Sequence, residues 1–80
     1  MIKYFELTDK YGFYWNFKSL ENACKYIADS VNEYCNNYHT HGTYGYDYNA
    51  ETETYTYKVC YTNGDTERWT VETIKIDTED

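Results

Sequence analysis

Proline is absent from this chain, Lys and Arg together number only 7, and Leu, Ile and Val are few. Each shortage excludes something. Disordered chains are rich in Pro and poor in aromatics; this one has no Pro but 12 Tyr, 3 Phe and 2 Trp, so it is expected to fold. The few cations face 14 Asp and Glu, which gives a net charge of −7. Affinity for phosphates comes from Lys and Arg displacing counterions, so direct nucleic-acid binding is disfavoured. No stretch approaches the ~18 apolar residues of a membrane span. The N-terminal MIKYFELTDKYG has no charged-then-apolar leader pattern. A cytoplasmic protein with no membrane contact is the expectation.

What is present is an aromatic-heavy chain of 80 residues, 41% hydrophobic. At this size one core can form, burying roughly 60–65% of the unfolded surface, so residues 1–80 are expected to make one domain. A deep pocket would compete for the same few core side chains. Size therefore points away from an enzyme, and no catalytic residue or cofactor is expected. Cys24, Cys35 and Cys60 are an odd set with no CxxC spacing, expected as reduced thiols in the core or partly buried.

Periodicity supplies the elements. From Ile2 to Thr8, Phe5 and Leu7 alternate with Tyr4 and Glu6, the pattern of a half-buried strand. Asp9-Lys10-Tyr11-Gly12 carries turn chemistry. Phe13, Trp15 and Phe17 then predict a returning strand with three aromatics in the core. Ser19 is a good N-cap for a helix to about Asn37, with Leu20, Cys24, Ile27, Val31, Tyr34 and Tyr38 at spacings of four and three, ending at Asn36, Asn37 and the stop at Gly42. From Thr43 the period changes to two. Tyr44, Tyr46 and Tyr48 share one face, the polar segment Asn49–Glu53 turns the chain, and Tyr55, Tyr57, Val59 and Tyr61 share the next. Asn63-Gly64 is a strong hairpin signal. The last strand, about Thr66 to Ile76, has Trp69 and Val71 on one parity and Ile74 and Ile76 on the other, which predicts a bulge near Glu72 or Thr73 or a change of packing side. The order ββαβββ implies an α+β fold: a five-stranded, mainly antiparallel sheet with one helix packed on one face.

Charge and aromatics mark the candidate site. Residues 47–80 hold nine acids against three bases, whereas residues 1–46 hold five against four. Solubility explains such a field; a partner with a basic groove, drawn in by electrostatic steering, is its functional reading. Glu51 and Glu53 fall in one predicted turn, and Asp65 and Glu67 at another. Tyr46, Asp47 and Tyr48 offer the aromatic and acidic mixture of a hot spot. One helix covers one side of the sheet, so the tyrosines of the last three strands either pack beneath it or, on the other side, form a binding surface. Cys35, His39 and His41, with Cys60 as a fourth donor, have zinc-type chemistry but no zinc-site spacing. A helix end with two histidines is the plainer reading, and no metal is expected.

In size, acidity, richness in Tyr and Asn, and single-helix-plus-sheet pattern, the chain resembles the small phage-encoded inhibitors of bacterial defence, including anti-CRISPR proteins. That resemblance implies a non-enzymatic inhibitor acting as a nucleic-acid mimic on the basic surface of a host nuclease. Two other expectations stand beside it: a self-associating module that pairs an edge strand or open sheet face with a second copy, and a single-strand binder that stacks bases on exposed Tyr.

Overall fold

The structure is a computed structural model and describes residues 1–77. Of the acidic end expected at Asp77–Asp80, the part beyond Asp77 lies outside the described residues. Five strands, β1 (Ile2–Thr8), β2 (Tyr14–Phe17), β3 (Gly42–Asn49), β4 (Thr54–Tyr61) and β5 (Thr66–Ile76), form one antiparallel sheet in the order β2-β1-β5-β4-β3, and helix α1 (Leu20–Tyr38) packs on one face. The fold is α+β.

Each junction has a local cause. Asp9 Oδ1 accepts hydrogen bonds from the amides of Tyr11 and Phe13, which tightens the first turn. Ser19 Oγ accepts from the Asn22 amide 3.1 Å away and caps α1. The helix does not end on an asparagine: His39 takes the left-handed conformation (φ 51°), and its amide bonds back to the Cys35 carbonyl. Thr40 is buried behind this cap, its hydroxyl paired with that of Thr62 at 2.8 Å and accepting from the Asn63 amide. In that last hairpin Gly64 supplies the φ of +95° that the turn requires.

The core lies between α1 and the central strands. Leu7, Val59 and Val71 are fully buried, and Ala23, Ile27 and Val31 descend onto them from the helix, with Trp69 and Tyr61 closing the sides. Gly42 lets the first residue of β3 pass close under α1, because a Cβ there would stand 2.9 Å from Val59 Cγ1 and 3.3 Å from Val31 Cγ1.

Two expectations need correction. Phe13 is 66% exposed in the turn, and Trp15 is 37% exposed against Tyr26 at a ring distance of 5.0 Å. Only Phe17 of the three aromatics lies against the core cluster, because β2 is a four-residue edge strand at the margin of the helix. Nor does β5 contain a bulge: its register runs unbroken against β1 and against β4. Ile74 and Ile76 simply occupy the face away from α1, opposite Tyr4 and Ile2.

That unbroken register conceals a stagger. β1 pairs with Thr70–Ile76 of β5, whereas β4 pairs with Thr66–Glu72, so only Thr70, Val71 and Glu72 have strands on both sides. The molecule is correspondingly long, 53 × 22 × 20 Å, with a radius of gyration of 14.2 Å, against the roughly 12 Å expected of a compact 80-residue domain.

Candidate functional site

Strand pleating puts Tyr44, Tyr46 and Tyr48 on the same sheet face as the helix, opposite Val59, Tyr57 and Tyr55 of β4. The helix covers only part of that face. Over β4 it covers Val59, and on either side of that residue Cys24 Sγ lies 3.2 Å from the Tyr57 hydroxyl and the Tyr34 ring meets Tyr61 at 4.1 Å. Beyond those contacts Tyr44, Tyr46 and Tyr48 are 49%, 63% and 46% exposed.

These rings lean on one another. Tyr48 meets Tyr55 at 4.4 Å, Tyr46 meets Tyr57 at 5.7 Å and Tyr55 at 6.3 Å, and Tyr55 meets Tyr57 at 6.2 Å. The result is a platform of four tyrosines in ring contact, with Tyr44 in the same row beside it, anchored at its inner edge and open at its outer edge. Burial, reinforced by the hydrogen bond with Cys24, pushes the Tyr57 hydroxyl well above the usual phenol range. Burial raises Tyr44 as well. Both hydroxyls therefore stay protonated at physiological pH.

The acids singled out from the sequence do not gather into one patch. Tyr46 and Tyr48 point to the helix side, while Asp47 between them lies on the opposite face beside Thr56. Glu51 is exposed in the β3–β4 turn, its amide held by Asn49 Oδ1 at 3.0 Å. Glu53 in the same turn pairs with Lys75 at 2.6 Å, and that lysine holds its carboxyl below the usual carboxylate range. Asp65 and Glu67 lie at the far end of β4, about 25 Å away at the rise of an extended strand.

Asp65 accepts a hydrogen bond from the Tyr34 hydroxyl and is thus tied to the helix. Glu67 is half-buried on the helix-facing side, and burial raises its carboxyl despite Lys10 and Tyr61 nearby. The Tyr61 hydroxyl is itself buried without a partner in hydrogen-bonding geometry among the described residues, and burial beside Glu67 keeps it protonated. Cys35 packs against the core, while Cys60, expected in the core or partly buried, stands exposed because its strand parity turns it to the other face of the sheet, so the two are not arranged as shared ligands.

Sequence reasoning passed over a further feature. The face away from α1 sets Glu6 directly opposite Glu72, and Lys58 directly opposite Arg68. Glu72 also borders a shallow groove with Asp47, Asn49, Thr52, Thr54 and Thr56. No sequence signal announces these pairs, because they depend on strand order. Comparison of the chain with protein-family models, with curated proteins and with solved structures gives no match.

Proposed function

We propose that the protein acts by binding, with no reaction of its own, and that the tyrosine platform of β3 and β4 is its contact surface. The observation that carries this reading is the row Tyr44, Tyr46 and Tyr48, exposed beyond the helix, with Tyr46 and Tyr48 resting on Tyr57 and Tyr55. Rigid aromatic bodies with polar tips lose little entropy on binding and dominate interface energetics. Ring faces also attract guanidinium and ammonium groups. With Glu51 exposed in the turn of this hairpin, Asp47 on its reverse face and a net charge of −7, the field around the surface suits a partner rich in Arg and Lys.

The partner class is accordingly a protein with a basic, nucleic-acid-binding groove, such as a host defence nuclease or a CRISPR effector. The protein would block that groove by occupancy, as a phage or mobile-element inhibitor does. The test is a pull-down from nuclease-treated bacterial lysate with DNA or RNA added back. The expected result is a stoichiometric nucleic-acid-binding protein that the added nucleic acid displaces. Tyr46→Ala with Tyr48→Ala, and separately Asp47→Lys with Glu51→Lys and Glu53→Lys, should each weaken capture about tenfold or more while leaving the circular dichroism unchanged. Full capture by both variants overturns the reading.

A further inference from the structure

The outer edge of β3 has no strand beside it, and it differs from the other edge of the sheet. β2 is four residues long and is followed at once by Lys18, the short charged form in which sheet edges are commonly protected. β3 runs eight residues, Gly42–Asn49, without Pro, Lys or Arg and with Asp47 as its single charge. Such an edge is open to another strand.

Its hydrogen-bonding pattern is fixed by one contact. The Thr62 amide donates to the His41 carbonyl at 2.9 Å, so His41 and Thr62 form a hydrogen-bonded pair, and alternation along the antiparallel ladder makes Thr43, Gly45, Asp47 and Asn49 the residues bonded to β4. The amides and carbonyls of Tyr44, Tyr46 and Tyr48 therefore point outward. The residues that carry the exposed rings also offer the free backbone.

We propose that the occupant of this edge is β3 of a second copy of the chain, paired antiparallel about a two-fold axis at Tyr46. A two-fold axis normal to the sheet keeps each residue on its own face, so the tyrosine row meets the tyrosine row, and centring on Gly45, Tyr46 or Asp47 satisfies that. Centring on Asp47 sets two carboxylates face to face and is disfavoured. Centring on Gly45 overlaps as many residues but spends Tyr48 on Gly42 and sets Asp47 across from Thr43, behind which stands Cys60 and no cation.

Centring on Tyr46 pairs Tyr44 with Tyr48 of the second copy and forms about six backbone hydrogen bonds, two for each of the three outward pairs. It also sets Asp47 across from Gly45 of the other copy, which has no side chain and open space about its Cβ position. Behind that glycine stands Lys58, its neighbour on β4. Asp47 and Lys58 of the other copy are then two strands apart, about 10 Å between Cα atoms, within reach of an aspartate and an extended lysine. Neither forms an ion pair among the described residues of the single chain, and Lys58 is crowded by Arg68 on its other side. Within its own chain Asp47 already lies diagonal to Lys58 on the same face, and pairing adds the carboxylate of the second copy, so the Lys58 and Arg68 cations meet one Asp47 from each chain. It also joins two tyrosine platforms into one continuous face, whichever partner that face meets.

Sedimentation velocity across a concentration series from about 10 µM to about 1 mM tests this, since a short strand edge gives a weak dimer. The wild-type chain is expected to shift from monomer to dimer. Gly45→Asp, which places like charges opposite one another twice, should raise the dissociation constant about tenfold; Gly45→Lys, which faces Asp47, should not. Tyr46→Pro removes an amide that points away from β4, which an edge tolerates, and should abolish the dimer with the fold retained by circular dichroism. A chain that stays monomeric throughout the series, its edge left to some other protein, overturns the proposal. So does a dimer that is indifferent to both Gly45→Asp and Tyr46→Pro.

Discussion

Gly42 and Glu67 show how single residues hold this small core in place. The hydrogen atom at Gly42 occupies space shared by Val59, Tyr61 and Val31, and a Cβ there would stand 2.9 to 3.3 Å from these side chains packed in the core. Gly42→Ala should therefore destabilise the protein by about 1–3 kcal/mol, the usual cost of overpacking, read as a lower urea midpoint with unchanged slope. Glu67 acts through its proton. Because burial raises its carboxyl above the ordinary value of 4.5, the native state holds the proton more tightly than the unfolded chain does. Stability consequently falls as pH rises from 4.5 through the folded value, and the loss is complete above it. Glu67→Gln should raise the urea midpoint near about pH 7 and make little difference near about pH 4. Glu53 titrates with the opposite sign: its lowered carboxyl, paired with Lys75, stabilises above the unfolded value and loses that contribution as pH falls through the folded one.

Among the elements, β5 bears the most. It joins the β1–β2 hairpin to the β3–β4 hairpin through three shared rows, and one of those rows sets Glu6 against Glu72 with Thr54 beyond. Like charges directly opposite each other on a ladder oppose pairing. Glu72→Lys should convert repulsion to attraction and stabilise the protein by about 0.5–1 kcal/mol, a gain that shrinks at high salt; an unchanged midpoint at low ionic strength would show that the two carboxylates are already relieved by solvent. The strand-edge arrangement also predicts an alternation in β3. Amides of Gly45 and Asp47 should exchange slowly, those of Tyr44 and Tyr46 quickly in dilute solution.

At the scale of the whole molecule, shape and charge act together. A 53 Å body with acids at both ends and a tyrosine platform on one flank presents a long face, and such a face fits an extended groove better than a small-molecule cleft. Association with a basic partner should weaken as salt rises, chiefly through slower binding. Conversely, a labelled single strand of DNA should show no gel shift even at low salt, since a charge of −7 opposes phosphate approach; a shift there would favour base stacking on the platform instead. Among the described residues no helix is long and apolar enough to cross a membrane.

The sequence by itself determined the local architecture. Period-two alternation marked all five strands, spacing of three and four marked α1, and Ser19 and Asn63-Gly64 marked a helix start and a hairpin, because these signals arise within one turn or one strand. It also carried the net charge and the excess of tyrosine over what one helix can cover. Even so, Phe13 and the supposed bulge were misread from parity alone: which side of a strand is buried depends on where the helix lies, not on the residues themselves. The tertiary structure decided the rest. Only the order β2-β1-β5-β4-β3 and its stagger leave β3 at an open edge, send the Asp47, Glu51 and Glu67 carboxylates to different faces and ends, and place Glu6 against Glu72. Those neighbours are far apart in the chain, and nothing local in the sequence encodes pairing between distant strands; it is settled by how the whole apolar surface can be buried at once.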